Sequence, residues 1–466
     1  MVPLRVSEIV RATNGTLLGG SPQARVEAVS IDSRAIDKKG LFVPLVGERH
    51  DGMAFVVQAL AAGAAGALVT RWNAKVRAEL GAVADPKTIL IKVRDGQTAL
   101  QQLASYVRTK LDVHVVGITG STGKTTTKDF LAAMLAREFD VIAAERSFNN
   151  EVGVPMTILR ADRNTQALVL EMAMRGRGEI AHLADMARPD VGVITNVGKT
   201  HFEFLGSEER IAEAKGELVE AIPPDGVVVL NADDYWTHKM RALSRGRIVT
   251  YGTHGSANVR AEDMEVDAEG RATFVLRTRG RRRRVRLPVL GLHNVYNFCA
   301  SAAVALELGV ALGDIVESLK SVTFSAMRMQ LYATADGVTV LNDAYNANPT
   351  SMRAALDTLA AIKTSGKKIA VLGDMTELGS MTDVAHFQVG EQAARAGVDL
   401  LVTVGRHSGR IADGAMVAGM GKHHIRRCQT SGEASKFVKR ALEPADVVLV
   451  KASRVMRLEE VVDGLV

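Results

Sequence analysis

The chain has 466 residues, 47% hydrophobic and 24% charged, with a formal net charge of +6; at roughly 150 residues per domain this gives about three globular domains and excludes a disordered, collagenous or coiled-coil protein. Its two cysteines, Cys299 and Cys428, lie far apart, which excludes a disulfide framework and a cysteine zinc site and fits a reducing compartment. No run of about 18 uninterrupted apolar residues predicts a membrane span, and Met1 to Glu8 lack a basic region followed by an apolar core, so a cytoplasmic protein is expected.

With 42 glycines and 4% aromatics, the composition suits an α/β architecture with many tight turns. Residues 1–110 mix short strands (41–45, 66–69, 88–91) with helical stretches and close on a helix over 96–109, a small mixed α/β domain. An apolar β run over 113–119, a Gly-rich turn and a helix over 124–137 then make a βα unit. Buried strands are predicted at 167–171, 191–195 and 226–230, with crossover-length segments between them as a parallel sheet requires. Antiparallel strands over 259–289 decorate its edge, completing a central domain over 111–325. Within them Arg281, Arg282, Arg283, Arg284 and Arg286 follow Gly280, so they read as a hairpin strand with solvated charges. Without interleaved aromatics or a basic helix, no nucleic-acid binding is predicted. After a helix over 293–308 the βα rhythm restarts at 338–342, 368–372, 400–404 and 446–450, a second α/β sheet in a domain over 326–466.

The sharpest motif is Gly120-Ser121-Thr122-Gly123-Lys124-Thr125-Thr126, between a buried strand and a helix. Such a loop directs backbone N–H groups and a helix N-terminus at a phosphate, while the lysine adds charge and a hydroxyl can ligate Mg²⁺. It departs from the full phosphate-loop pattern, because Ile118 stands where the first glycine belongs. Glu171 ends a buried strand at the sheet's carboxyl edge, where it reads as a Mg²⁺ ligand or as a helix cap. His201 follows the next strand end, as a metal ligand or a loop histidine. Lys215 interrupts the helical stripe of Ile211, Leu218 and Ile222. Spacing alone reads it as a snorkelling stem, or as a desolvated amine open to modification.

Together these residues resemble the Mur ligase family, ATP-dependent amide-forming enzymes of peptidoglycan synthesis. The resemblance runs over nearly the whole chain. It rests on the Gly120 to Thr125 loop, Ser147-Phe148-Asn149-Asn150-Glu151-Val152-Gly153, Glu171, Thr195-Asn196-Val197 with His201, Ala214-Lys215-Gly216-Glu217, Gly291-Leu292-His293-Asn294-Val295-Tyr296-Asn297, Met327-Arg328-Met329 and Asn342-Asp343-Ala344-Tyr345-Asn346-Ala347-Asn348-Pro349. The last of these, with Ser30 to Arg34 and Leu41 to Arg49, resembles the family members that add D-alanyl-D-alanine to UDP-N-acetylmuramoyl-tripeptide.

The resemblance implies a UDP-sugar-peptide domain, a central ATPase domain and a Rossmann-like C-terminal domain. It implies that Lys124 and Thr125 hold phosphates and Mg²⁺, that Glu171 and His201 serve metals, and that Lys215 is carbamylated. Asn294 and Asn297 would lie near adenine, and Arg328 and Asp343 would meet the nucleotide. Ser33, Arg34 and the loop from Gly47 would contact the UDP-sugar, and Asp343, Tyr345, Asn346 and Asn348 would choose the acceptor. The implied chemistry is an acyl phosphate formed with ATP and then attacked by the amine, with Lys124, Lys215, His201 and Arg328 as catalytic residues in a monomer. Two other readings stand beside it: a sister ligase adding another amino acid, against which Asp343-Ala344-Tyr345-Asn346 replaces an Asp-Asn-Pro-Arg signature, and a phosphate-loop NTPase switch.

Overall fold

The computed structural model describes every residue except Glu48, Arg49, Arg146, Ser147 and His201. The chain forms two compact units, one of Met1–Gly117, Glu138–Ala173 and Ile180–Val191, the other of Ile118–Arg137, Met174–Glu179 and Gly192–Val466. In the first unit, strands β1 (Thr16–Gly19), β2 (Ala28–Ser30), β3 (Gly40–Phe42), β4 (Gly66–Val69) and β5 (Ile89–Lys92) make a sheet in the order β1-β5-β4-β3-β2. All its pairings are parallel except β1 with β5. Gly66 is required there, since a Cβ would lie 2.1 Å from Ile89 O. Helix α1 (Gly96–Arg108), capped by Asp95, buries Leu100, Leu103, Ala104 and Val107, and the Arg108 guanidinium donates to the carbonyls of Ala187, Arg188 and Leu111.

A nine-stranded sheet contains β6 (His114–Thr119), β7 (Val141–Ala143), β8 (Ala167–Glu171), β9 (Val191–Ile194), β10 (Val227–Asn231), β11 (Arg247–Gly252), β12 (Val259–Val266), β13 (Arg271–Thr278) and β14 (Arg281–Leu290), in the order β14-β13-β12-β11-β10-β9-β6-β8-β7. The run from β10 to β12 is parallel and β12-β13-β14 is antiparallel. The β13–β14 turn places Arg279 (φ 43°) and Gly280 (φ 78°) in the left-handed region, the two-residue hairpin geometry that matches strand twist. Arg282, Arg284 and Arg286 meet Glu262, Glu265 and Asp267. The arginine run is thus largely ion-paired as well as solvated.

Within the second unit, helices α2 (Lys124–Leu135), α3 (Glu208–Ala221), α4 (His293–Glu307) and α5 (Pro349–Ala361) flank the sheets. A third sheet comprises β15 (Gln330–Ala333), β16 (Thr339–Asn342), β17 (Lys368–Gly373), β18 (Leu400–Val404), β19 (Ile425–Cys428) and β20 (Val447–Lys451), in the order β15-β16-β20-β17-β18-β19. Only β15 is antiparallel. Strand β20 shows the double winding: Val447 and Leu449 enter one core with Leu341, Leu372 and Met352, while Val448 and Val450 enter the opposite one with Val340, Val371 and Val402. The order sets the carboxyl ends of β16, β20 and β17 side by side, where open α/β sheets hold ligands.

Candidate active site

The Gly-rich motif has the geometry of an anion-binding loop. Gly120 (φ 149°) and Gly123 (φ 82°) adopt backbone that L side chains rarely enter, and a Cβ on Gly123 would lie 2.2 Å from Asn297 Oδ1. Helix α2 begins at once, Thr127 N–H bonding back to Gly123 O at 2.9 Å, so its first-turn N–H groups point along the axis at whatever the loop surrounds. Lys124 Nζ donates to Gly120 O at 2.8 Å, folding the ammonium over the loop.

The end of β9 braces this loop. Thr195 Oγ1 donates to Thr122 O at 2.6 Å, Asn196 Oδ1 accepts from Thr122 N–H at 3.1 Å, and Asn196 Nδ2 donates to Thr122 O at 3.1 Å. Ser121 Oγ donates to Gly198 O at 3.0 Å and accepts Gly198 N–H at 2.9 Å. From α4, Asn294 Nδ2 donates to Leu290 O and Asn297 Nδ2 to Asn294 Oδ1, at 2.7 and 2.8 Å. Both asparagines are buried; besides any nucleotide contact, Asn294 holds the entry of α4, while Asn297 Oδ1 accepts from Thr127 Oγ1 at 3.4 Å and closes on Gly123, fixing α4 against the loop and α2.

Arg328 approaches the same loop, its Nη2 lying 3.3 Å from the Thr125 hydroxyl. Met327 (φ 58°) and Met329 (φ 50°) on either side are left-handed, at a cost of about 1 kcal/mol or more each for an L residue. Two bonds hold them there: Tyr345 N–H to Met327 O at 3.3 Å and Met329 N–H to Asp343 Oδ1 at 3.1 Å. The guanidinium carbon of Arg328 lies 4.0 Å from the Tyr345 ring centre. Arg328, Asp343 and Tyr345 thus form one cluster beside the loop. Asn348 plays a different part, since its Oδ1 accepts Ser351 N–H at 2.9 Å and caps α5.

Two further residues belong to this cluster: Lys451, of which the sequence shows no sign, and His293, which lies in the Gly291 to Asn297 motif without an assigned role. Lys451, ending β20, is 2% exposed, and its Nζ contacts Asp343 Oδ2 at 2.5 Å and Asn346 O at 2.9 Å. His293, opening α4, is pushed down to about 4 by burial and by the Lys451 charge, against the pull of Asp343. A buried side-chain partnership between distant segments leaves no local pattern to read.

Lys215 lies on the buried face of α3 and is also 2% exposed. The snorkelling reading is therefore overturned: its head is not in water. Among the described residues it makes no hydrogen bond or ion pair, and burial together with the Lys124 charge lowers its amine well below the usual lysine range. Glu171, 1% exposed, accepts Asn149 Nδ2 at 2.8 Å. His201 lies outside the described residues, and among those described no three or more His, Cys, Asp or Glu side chains gather as a metal site. In the first unit, Ser33 Oγ donates to Gln58 Oε1 at 3.1 Å, Arg34 grips Asp32 through two bonds, and Gly47 N–H donates to His50 O at 2.9 Å.

Family descriptions match three consecutive stretches: "Mur ligase family, catalytic domain" over residues 25–108, "Mur ligase middle domain" over 118–305 and "Mur ligase, glutamate ligase domain" over 327–454. UDP-N-acetylmuramoyl-tripeptide–D-alanyl-D-alanine ligase of Mycobacterium bovis is 40% identical, covering 100% of this chain and 98% of that protein. The ligase of the same name from Bacillus subtilis is 36% identical, covering 100% and 99%. Among solved structures, MurF from Acinetobacter baumannii superposes with a TM-score of 0.87 at 31% identity, covering 99% of this chain and 98% of that one. The MurF ligase of Thermotoga maritima, in complex with ADP, gives 0.80 at 28% identity, covering 94% and 97%.

Proposed function

The chain belongs to the Mur ligase family, and from that premise we propose that it is an ATP-dependent ligase joining D-alanyl-D-alanine to UDP-N-acetylmuramoyl-tripeptide with release of ADP and phosphate. The observation that carries this reading is a braced phosphate loop with Arg328 at its Thr125, in a chain that matches ligases of that name from end to end. We also propose three domains, 1–110 for the UDP-sugar peptide, 111–325 for ATP and 326–466 for acceptor and nucleotide contacts, which the three family stretches support.

The chemistry follows from the weakness of a carboxylate as acyl donor, whose leaving group would be oxide. The γ-phosphoryl of ATP passes to the tripeptide carboxylate to give an acyl phosphate; the neutral amine of D-alanyl-D-alanine then attacks the carbonyl carbon, phosphate leaves and the amine proton is released. Lys124, the first turn of α2 and Arg328 stabilise the charge that spreads over the transferring group. Backbone amides of Gly120 to Thr126 cradle the phosphates, with Asn294, Asn297 and Asp343 toward the nucleoside. Tyr345 and Asn346 meet the acceptor dipeptide, Asn348 serves it by capping α5 and so fixing the segment, and Ser33, Arg34 and Gly47 meet the UDP-sugar.

The donor chemistry suits Mg²⁺: a hard cation takes oxygens, and the buried Thr125 supplies a hydroxyl while Glu171 supplies a carboxylate at a strand end. His201 and a modified Lys215 complete the proposed set. When bound, Mg²⁺ neutralises phosphate charge. A buried amine with lowered basicity is a free nucleophile, so the Lys215 lone pair adds to the carbon of CO₂, a proton leaves, and the carbamate replaces an uncompensated amine with anionic oxygens. No helix among the described residues is long and apolar enough to cross a membrane, and we place the enzyme in the cytoplasm as a monomer. Incubation with Mg-ATP, the UDP-tripeptide and a panel of amino acids and dipeptides tests the proposal. Phosphate release and a product mass only with D-alanyl-D-alanine are expected; release without an amine acceptor, or a different preferred amine, overturns it.

A further inference from the structure

Lys451 occupies the last position of β20, opposite Leu372 of β17, and continues the alternation that sends Val447 and Leu449 to one face. Alternation explains its direction but not its residue type. A lysine here has only 2% exposure, and burial lowers its basicity while Asp343 opposes that shift. Such a charge persists in a core only with well-placed partners. Its partners are Asp343 Oδ2 at 2.5 Å and the main-chain carbonyl of Asn346 at 2.9 Å. Arg328 and His293 are the other charged or titratable groups that sense it.

These two partners have different jobs. Asp343 Oδ1 accepts Met329 N–H and so sets the strained turn that presents Arg328 to Thr125. Asn346 belongs to the segment that the proposed function assigns to acceptor choice. A second clamp lies two residues on, where Ser453 Oγ accepts Thr376 N–H at 2.9 Å and donates to Ala347 O at 3.4 Å, while Ser453 N–H reaches Asp374 O at 3.0 Å. The ends of β16, β20 and β17 are thus stitched together from β20, and Lys451 grips both the nucleotide-side carboxylate and the acceptor-side main chain.

We propose that Lys451 is a positioning residue that couples the nucleotide-facing and acceptor-facing parts of the site, holding the Asp343 carboxylate and the Asn346 carbonyl through one ammonium. The inference rests on the ligase reading above. Steady-state kinetics of the full-length enzyme test it, with the Michaelis constants for ATP, UDP-tripeptide and D-alanyl-D-alanine measured separately. Lys451→Arg keeps a charge for Asp343, and so the fold, but its longer planar head cannot keep the Asn346 carbonyl in the same place. Its constant for D-alanyl-D-alanine should rise about tenfold while those for ATP and UDP-tripeptide stay within about twofold. Lys451→Met, which loses both grips, should raise the ATP and dipeptide constants together and leave the UDP-tripeptide constant in place. A Lys451→Arg enzyme with all three constants at wild-type values, or with all three raised equally, overturns the proposal, because a purely structural lysine alters the amount of active enzyme without that split. Wild-type enzyme that makes no product from D-alanyl-D-alanine overturns the ligase reading instead.

Discussion

Lys215 and Lys451 are the same residue at the same burial, 2% exposed each, in two regions of the second unit. Around Lys451 the chain supplies a carboxylate and a carbonyl, so its ammonium is compensated. Around Lys215 the neighbouring charge that acts on it is a second cation, Lys124. Burying a lone ammonium costs several kcal/mol, and a group so placed sheds its proton rather than bear that cost. Burial alone therefore does not define a role: one lysine has its counter-charge built into the fold, while the other has its basicity lowered by burial and a neighbouring cation.

The largest effect should come from Lys124, the cation that acts on Lys215 and that the proposed function assigns to the transferring phosphoryl group. Lys124→Ala should lower kcat/KM by about 100- to 1,000-fold, roughly 3–4 kcal/mol of transition-state stabilisation, with little change in Tm, because the side chain sits over a loop rather than in a core. It should also let the Lys215 amine move back up, since one of the two causes of its depression is gone. Single-turnover phosphate release measures the first effect. Near-normal turnover would remove the loop from the nucleotide site.

The comparison is broken most directly by replacing each buried lysine with methionine. Lys451→Met strands Asp343 without its counter-charge and should cost about 3 kcal/mol or more of stability. Lys215→Met removes a desolvated amine in favour of a thioether of similar length, and should leave Tm unchanged or higher while abolishing ligation. Short carboxylic acids should partly restore a Lys215→Ala enzyme, and intact wild-type mass should exceed the sequence mass by one CO₂ that is lost on acidification. Equal destabilisation by the two methionines would show that Lys215 has a counter-charge after all.

Much of this was legible in the sequence. The strand over 113–119 and the glycines of the loop predict a strand, a tight Gly-rich turn and a helix because a βα turn is a local feature; the structure ends that strand at Thr119 and starts α2 at Lys124. The apolar runs over 338–342, 368–372 and 446–450 predict β16, β17 and β20 because parallel strands are buried on both faces. Most of the missed strands are edges: Thr16–Gly19, Ala28–Ser30, Val141–Ala143, Gln330–Ala333 and Ile425–Cys428 carry few buried residues, and Arg426 and Arg427 hide the last from any hydrophobic count. Arg247–Gly252 is missed although it is an interior strand, because its apolar run is short, opened by Arg247 and closed by Gly252. Lys451 was hidden for another reason. Its partner Asp343 lies 108 residues away, and a lysine closing an apolar strand looks like an ordinary solvated end.

A smaller effect separates the two sides of the Lys451 grip. Asn346→Ala keeps the main-chain carbonyl that Lys451 holds and removes only the side chain, so it should raise the Michaelis constant for D-alanyl-D-alanine by about tenfold, with that for ATP nearly unchanged. Asp343→Ala should weaken both, because its carboxylate also holds Met329 and with it Arg328. If Asn346→Ala shifted only the ATP dependence, the segment would be a nucleotide element and acceptor choice would lie elsewhere.

The smallest expected effect belongs to a third lysine, in the first unit, which shows what pairing contributes near the surface. Lys110 Nζ lies 2.8 Å from Glu8 Oε1, with the two side chains 33% and 22% exposed, and Tyr106 Oη donates to the same carboxylate oxygen at 2.9 Å. The Lys110 hydrogen bond first, then the Arg5 N–H, hold the Glu8 carboxyl down at about 2, from an ordinary value of 4.5. A depressed carboxyl binds its proton less readily in the folded state than in the unfolded one. Its contribution is therefore complete above about pH 4.5 and is lost as the pH falls through about 2. Screening by solvent limits it to about 1 kcal/mol. Glu8→Gln should lower stability by that amount at pH 7 and by only a small part of it near pH 2, a gap that denaturant melts at the two pH values resolve. Lys451→Met at pH 7 should cost about three times as much, since water can replace Lys110 beside Glu8 but cannot reach Asp343 so freely, its side chain being 15% exposed. Equal losses in the two variants would mean that the Lys451–Asp343 pair is solvated in solution and that its burial does not set its strength.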